Sequence, residues 1–497
     1  MLVIGWSGVS ADSAGSFHRT AGCQKPHPIT SPSLPHSLPL YLLPITHYPL
    51  PITHYPSPIT LHQKMRTFIT IWLGQIVSTI GSYMTVFALT IWVWQVTGSA
   101  TALTLVGFFV QLPRLLITPF SGIIVDKFNR KQLMLLGDIV AFLCTLTIFL
   151  LHFTDRLELW HLYCVVAIYG GFGQIQTLAY SASIPLIVPK KQFTRAGSMS
   201  AAVNYASAIL SPILAGSLYP IIGLGGIIAI DIATFAAGLI TLIISHIPQP
   251  TPSESQNENT TQKNIWQNLT FGFRYIFAKP PLLAMVIAFT LFALPNDIGK
   301  VLYNPLILAR TGGDSQILGS VTTAAGLGGI IGALLLSAWG GFKRKVDGML
   351  IGFIGAGFFR TLLCFTQMPF AWMFSMFFST MHTPLFYSSS NAIWYAKVPS
   401  NLQGRVLAAD QSIGIIISLL APLIAGPLAD KVFEPAMQSQ GALAPIFGSI
   451  FGTGNGAGIT LIYAIASIWM LMVGIGGYFF STLRNVEKLL PDCDEVS

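Results

Sequence analysis

The chain has 497 residues and a formal net charge of +8, with 53% hydrophobic and only 9% charged residues. Because soluble domains carry roughly 25% charged residues, this composition excludes an ordinary soluble fold. The basic residues form short clusters between apolar blocks instead of one stripe or tail, which argues against a nucleic-acid partner. The five cysteines are scattered without a C-x-x-C pair, so neither a disulfide framework nor a zinc site is indicated.

The first segment, 1–64, has its own composition. It holds ten of the 31 prolines and six of the ten histidines, and it repeats a seven-residue stretch at 43–49 and 50–56. Proline at this density prevents helix and sheet, so we predict a disordered segment, with metal binding by the histidines as an alternative. A third interpretation is a start codon placed too early. Because Met65 opens directly into the first apolar block, we expect Met65 to be the initiator.

Twelve apolar blocks follow, each long enough to cross about 30 Å of hydrocarbon as a helix. Six precede and six follow a polar stretch, so we predict an all-α membrane protein of two six-helix bundles, at 65–246 and 281–484. The predicted helices lie near 68–94, 100–122, 132–153, 160–187, 198–220, 224–246, 281–309, 316–339, 347–367, 369–396, 405–430 and 456–481.

The linker at 247–280 is predicted to hold a short helix on the membrane surface, because its apolar residues from Ile265 to Ile276 recur at helical spacing. A tail follows at 485–497. When Lys and Arg outside the spans are assigned to alternate sides, 18 fall on one side and three on the other. The positive-inside rule then places both termini and the linker in the cytoplasm of a plasma (inner) membrane.

The two predicted bundles repeat one another. An offset of 210 residues superimposes a loop, a basic anchor and a proline-containing helix. The matched positions are Val188-Pro189 with Val398-Pro399, Arg195 with Arg405, Pro212 with Pro422, and Ala215-Gly216 with Ala425-Gly426. A parallel repeat of six helices is a transporter architecture whose solute site lies between the halves near the midplane.

The loop after the second predicted helix reads GIIVDKFNRK at 122–131. It resembles the signature of the major facilitator superfamily, which runs Gly, three residues, Asp, Arg or Lys, one residue, Gly, then basic residues. The resemblance implies a conformational gate made of five residues: Gly122, Asp126, Lys127, Arg130 and Lys131. Asp126 can stabilise a facing helix N-terminus, and Arg130 can pair with Asp126 or a neighbouring acid.

Asn129 stands where the signature has glycine, and we expect it to tolerate a left-handed turn. The copy in the second half, at 340–345, has lost its acid. Other stretches resemble the macrolide-efflux and enterobactin-exporter branch: Thr97-Gly98-Ser99-Ala100, Leu112-Pro113-Arg114 and WQNLTFGFRY at 266–275. The stretch with Pro212 and Gly216 is similar to an antiporter motif, although Ser211 and Ala215 stand where glycines are usual, and it implies proton antiport.

Ionisable residues inside the apolar blocks are functional candidates, because an unpaired charge is costly in hydrocarbon. Arg114 and Asp138 are predicted to pair near the inner gate. Asp231, Asp297, Lys300 and Arg360 are predicted to lie deeper and to couple protons or solute. Asp297 and Lys300 share a helix face, and Pro295 is expected to break the helix beside them. A wet outer vestibule is the alternative for Asp297.

These observations predict a secondary active transporter, not an enzyme: a proton-coupled efflux antiporter for amphipathic drug-like or siderophore-like molecules. Its expected partners are a small-molecule substrate, protons and the lipid bilayer, with a monomer as the functional unit. No ATP-binding loop is recognisable, so the proton gradient takes the place of a cofactor. The alternatives are a proton-coupled importer, a membrane enzyme acting on lipids, and a non-transporting receptor or scaffold.

Overall fold

A computed structural model describes residues 61–189, 192–248 and 265–490, and all regular secondary structure in these ranges is helical. The helices of eight or more residues are α1 (Leu61–Thr97), α2 (Ala100–Lys127), α3 (Arg130–Phe153), α4 (Leu159–Ile187), α5 (Phe193–Ile244), α6 (Ile265–Phe277), α7 (Pro280–Thr311), α8 (Ser315–Trp339), α9 (Lys345–Cys364), α10 (Pro369–Met381), α11 (Thr383–Lys397), α12 (Ser400–Leu428), α13 (Ala444–Phe451) and α14 (Ala457–Phe479). A π-helical turn, Ala429–Phe433, continues α12.

Ten helices in the described ranges are long and apolar enough to cross a membrane. Two regions explain why this number is below twelve. Helix α5 runs for 52 residues but breaks at Gly223, whose φ of 64° lies in the left-handed region, so it contains both the fifth and the sixth predicted helix. The tenth predicted helix is divided at His382 into α10 and α11, each too short for one crossing.

The predicted disordered segment lies almost wholly outside the described residues, since α1 begins at Leu61, ahead of Met65. Predictions about the histidines and the repeated heptapeptide therefore remain predictions. The linker helix is present as α6, and it packs against α12, because a side chain on Gly272 would meet the backbone of Arg405 and come within 2.8 Å of Ala409. Ile276 is buried in the same contact region.

Helix ends follow from local chemistry. Ser99, Asn129 and Asp314 each accept a hydrogen bond from a backbone N–H of the helix that follows, which satisfies donors that a helix cannot pair internally. Gly312 and Gly340 end α7 and α8 in the left-handed conformation. The expectation for Asn129 was wrong: its φ is −62°, because it caps α3 instead of forming a left-handed turn.

The chain alternates between two ends of the bundle. At the basic end, α2 meets α3 and α8 meets α9; at the other end, called the Asp430 end, α1 meets α2 and α12 passes into the π-helical turn. One buried apolar cluster at the Asp430 end contains residues of both halves, including Ala100, Ala215 and Ala425. At the basic end each half has its own cluster. Among the described residues, the halves therefore share a core at one end only.

The sequence repeat corresponds to equivalent structural positions. Val188 and Val398 end α4 and α11 in similar extended conformations, and both are buried. In the first half α1 packs on α5 and α2 on α4; in the second α7 packs on α14 and α8 on α10. The same offset thus relates local backbone geometry and helix packing in the two halves.

Candidate functional site

A cavity lies between the halves. Its volume is about 1080 Å³ when the open solvent at its mouth is included, and its wall is mainly apolar. Helices α1, α2 and α4 contribute from the first half, and α7 and α12 from the second. The residues with polar side chains on the wall are Thr90, Thr104, Gln111, Tyr169, Asp297, Lys300, Asn304 and Ser418. A mostly apolar wall with a few polar groups is typical of a small-molecule site.

The charged part of the cavity wall is one ion pair on α7. Lys300 Nζ lies 2.8 Å from Asp297 Oδ1, and the two side chains are 26% and 14% exposed. Asn296 Nδ2 also donates to Asp297 Oδ1, at 3.2 Å. The predicted proximity of Asp297 and Lys300 is therefore observed, at the wall of the cavity. The predicted helix break beside them is wrong, since α7 continues through Pro295, as membrane helices often do when neighbours enclose the proline.

Arg360 is not part of the cavity wall. Its side chain is 6% exposed, and its Nη1 donates to the backbone oxygen of Asn296 at 3.2 Å. Gly299 makes room for it, because a Cβ there would lie 3.2 Å from Arg360 Nη1. Arg360 thus stands behind the ion pair, on α9, and holds the α7 backbone that carries Asp297.

Asp231 is not on the cavity wall with this pair. It is 1% exposed and accepts a hydrogen bond from Ser82 Oγ at 3.3 Å, in the contact between α5 and α1. The four residues predicted to act together are therefore divided among three places: Asp297 and Lys300 on the cavity wall, Arg360 behind it, and Asp231 inside the first half.

Arg114 and Asp138 do not form the predicted ion pair within 4.0 Å in the part of the chain that the structure describes. Asp138 instead accepts a hydrogen bond from Gln176 Nε2 at 3.1 Å, because α4 packs between α2 and α3. His382 Nδ1 lies 2.7 Å from the backbone oxygen of Phe378, which is the geometry of a core histidine.

The antiporter-like helix lies in a contact between the halves. Pro212 and Gly216, on α5, face α8 so closely that a Cβ on Gly216 would be 2.8 Å from the backbone oxygen of Ser315. A Cβ on Gly319 would be 2.6 Å from the backbone oxygen of Pro212. Ser315 Oγ also donates to the backbone oxygen of Gly216 at 3.1 Å. Small residues allow two membrane helices to approach to backbone contact.

The second contact between the halves joins α12 to α2. A Cβ on Gly426, the repeat partner of Gly216, would be 2.7 Å from Thr101 Cα. One helical turn later, Asp430 accepts hydrogen bonds from Ser99 Oγ at 2.6 Å, Ala100 N at 3.0 Å and Thr101 N at 2.8 Å. Both contacts lie at the Asp430 end, so the cavity is closed there.

The gate motif at the basic end is described in part. The surroundings of Gly122 and the side chain of Asp126 lie outside the described part of the structure, so the predicted roles of both residues remain predictions. Lys127 is exposed. Arg130 Nη1 donates to the backbone oxygen of Ala182 at 2.6 Å. Lys131 Nζ donates to two backbone oxygens at the end of α5, each at 2.8 Å, and so caps that helix.

The second copy of the loop receives an acid from elsewhere in the chain. Glu487, beyond α14, accepts hydrogen bonds from Lys345 N at 2.9 Å and Val346 N at 3.1 Å, at the start of α9. Lys397 Nζ donates to the backbone oxygens of Glu487 and Leu490 and fixes this segment in place. A carboxylate thus lies at the end of the loop at 340–345, although the loop itself contains no acidic residue.

Sequence reasoning missed Asp430, Gln111 and Tyr169. For Gln111 and Tyr169 a signal was available, because a polar side chain within an apolar block is a cavity candidate. For Asp430 the signal was weak, because this residue is the last of a predicted helix and its partners are some 330 residues away in the sequence.

Comparison with known families agrees with this geometry. A family model described as transmembrane secretion effector matches residues 58–418. The chain belongs to this family. Its relatives place this transporter in the major facilitator superfamily, in the branch of macrolide-efflux proteins and enterobactin exporters, and the chain is a multi-pass membrane transporter and not an enzyme.

Two relatives and one solved structure illustrate the match. Macrolide efflux protein A of Streptococcus pyogenes is 27% identical over 367 residues, which is 71% of this chain and 88% of that protein. The enterobactin exporter EntS of Escherichia coli O1:K1 / APEC is 25% identical over 278 residues, or 56% and 62% of the two chains. A crystal structure of a bacterial homologue of the iron transporter ferroportin has a TM-score of 0.60 at 14% identity, covering 83% and 98% of the chains, and so shares the fold.

Proposed function

We propose that this transporter is a proton-coupled efflux antiporter for amphipathic small molecules of drug-like or siderophore-like character. The observation that carries the proposal is the cavity between the halves, which combines a large apolar wall with the Asp297–Lys300 ion pair. An apolar wall suits the body of an amphipathic solute, and one charge pair suits its polar group. The relatives named as efflux proteins support export over import.

The proposal includes twelve membrane crossings in two six-helix halves. The break at Gly223 divides α5 into two crossings, and α10 with α11 makes one, so the ten long helices become twelve. With the basic end in the cytoplasm, both termini are cytoplasmic and the cavity is closed toward the outside. Because both halves of one chain build the cavity, we propose a monomer as the transport unit.

Coupling is proposed at the ion pair. Lys300 holds Asp297 at 2.8 Å, and a carboxylate beside a cation remains ionised. When a change of helix position draws Lys300 away, Asp297 takes up a proton inside the apolar cavity, because an unpaired buried carboxylate is costly. The neutral acid no longer offers a charge to the polar group of a solute. Proton binding and solute binding then exclude one another, which is the requirement for antiport.

The test uses inside-out membrane vesicles from a host without its own efflux pumps, with radiolabelled erythromycin and ethidium as probes. With the vesicle interior made acidic, we expect the transporter to accumulate at least one probe against its gradient, and collapse of the pH gradient to abolish this. Asp297→Asn should reduce proton-driven accumulation about tenfold or more, since one unpaired charge in an apolar site costs several kcal/mol.

The matched control is Asp347→Asn. Asp347 forms the other i, i+3 ion pair of the described residues, with Arg344 at 3.7 Å, but at the basic end and away from the cavity. We expect this variant to retain accumulation within about twofold, as surface ion pairs contribute little. Accumulation in the opposite vesicle orientation would indicate an importer, and unchanged proton-driven accumulation by Asp297→Asn would contradict the coupling proposal.

A further inference from the structure

Asp430 lies outside the cavity and has no role in the coupling proposed above. It extends from the π-helical turn after α12 to the first turn of α2 in the other half. Its two carboxylate oxygens accept three hydrogen bonds: Ser99 Oγ at 2.6 Å, Ala100 N at 3.0 Å and Thr101 N at 2.8 Å. Charge-assisted bonds of this kind are about twice as strong as neutral ones.

These bonds complete the N-terminus of α2. The first backbone N–H groups of a helix have no partner inside it, and partial positive charge collects there. Ser99 Oγ accepts only from Ala102 N, at 3.2 Å, so the N–H groups of Ala100 and Thr101 depend on Asp430. The cap of α2 is therefore divided between the two halves of the molecule.

This cap lies where the two halves of the transporter meet, so it affects whether they are closed or separated there. It lies at the end where the halves share one apolar core, beside the backbone contact of Gly426 with Thr101. Separating the halves there would leave the carboxylate and two backbone N–H groups without partners, and water is the only substitute. Leaving such groups unpaired in an apolar environment is costly.

We infer that Asp430 is a positioning residue that locks this end of the transporter closed and sets the balance between the form closed there and the form open there. The halves separate at this end only when water enters and takes over the hydrogen bonds of Asp430. Loss of the α2 cap and separation of the halves therefore occur together. The inference uses the movement of the halves and does not depend on which solute or ion is carried.

The molecule contains a matched control for this inference. Asp314 caps α8, the repeat partner of α2, by accepting hydrogen bonds from Gln316 N at 2.8 Å and Ile317 N at 3.0 Å. Its chemistry is that of Asp430, but the acid and the helix belong to the same half. Asp314→Asn therefore weakens a carboxylate cap whose hydrogen bonds all lie within one half.

The experiment measures the opening of the Asp430 end by double electron–electron resonance in the full chain. Spin labels are attached to Thr154→Cys and Ser439→Cys, two exposed loop positions in different halves at that end, after the five native cysteines are replaced. No substrate is added. Asp430→Asn should increase the ratio of long to short distances about tenfold, because two or three charge-assisted bonds become neutral or are lost.

Ser99→Ala should shift the ratio in the same direction by a smaller factor, and it keeps the measurement possible should Asp430→Asn fold poorly. Asp314→Asn should leave the distribution unchanged. Distances that are the same in wild type, Ser99→Ala and Asp430→Asn, in protein that unfolds at the normal temperature, would overturn the inference. An equal shift in Asp314→Asn would also overturn it, since the effect would then come from helix capping in general.

Discussion

Two contacts close the Asp430 end, and they differ in how they are built. Helix α5 meets α8 through small residues and backbone, and the N-terminus of α8 is capped by Asp314 of its own half. Helix α12 meets α2 through a glycine as well, but the cap of α2 comes from Asp430 of the other half. Although the repeat relates the two contacts, only the second links a helix cap to the closure of the halves. The first contact depends on shape, and the second on shape and charge.

The largest effect should come from filling either backbone contact. In Gly319→Ala the new Cβ would lie 2.6 Å from the backbone oxygen of Pro212, and in Gly426→Ala 2.7 Å from Thr101 Cα, so the helices must separate. Overpacking of this kind costs about 1–3 kcal/mol, which is roughly 5- to 150-fold in the balance of states. We expect at least a tenfold loss of probe accumulation in vesicles at normal protein levels.

Gly329→Ala, also on α8, is the control, because its Cβ would meet nothing within 4 Å. It should transport normally. If Gly319→Ala and Gly426→Ala transported as well as Gly329→Ala, then the two backbone contacts would not be what closes the Asp430 end.

A smaller effect, on stability and not on transport, is expected when the cap of α8 is removed. Asp314→Ala removes two hydrogen bonds within one half and should lower the free energy of unfolding by about 1 kcal/mol, the usual value of an N-cap. Transport per folded molecule should not change. Thermal unfolding in detergent and vesicle accumulation measure the two quantities, and a loss of transport without a loss of stability would mean that Asp314 also acts between the halves.

The smallest effect is expected for Ser315→Ala. It removes the hydrogen bond from Ser315 Oγ to the backbone oxygen of Gly216, at 3.1 Å, but leaves the close backbone approach of α5 and α8 intact. Because interhelical hydrogen bonds in membranes average about 0.6 kcal/mol, accumulation should fall by about threefold or less. A loss as large as that of Gly319→Ala would show that this contact, too, depends on a polar bond.

The sequence predicts helix positions well, because each crossing needs its own apolar block and each helix end has its own signals. Ser99 and Asp314 cap the helices whose starts were predicted beside them. The split at His382 was not predicted, since α10 and α11 together form one apolar block. The break at Pro295 was predicted from soluble helices, where water competes for freed carbonyls, and neighbours prevent it here.

The candidate site was predictable only where its residues are close in sequence. Asp297 and Lys300 are three residues apart, so helical spacing was enough to place them together. The partners of Asp138, Arg360 and Asp430 come from other helices, and no local pattern encodes which helices meet. Asp430 joins positions about 330 residues apart, and only the fold brings it to α2.

We propose that the cavity is open to the basic end and closed at the Asp430 end. During transport this form exchanges with one that is open at the Asp430 end and closed at the basic end. A single cysteine at Ser418, on the cavity wall, tests it through a membrane-impermeant thiol reagent added to inside-out or right-side-out vesicles. We expect rapid labelling from the cytoplasmic side in wild type, and labelling from the opposite side as well in Asp430→Asn. Labelling of wild type from the opposite side alone, unchanged by Asp430→Asn, would contradict it.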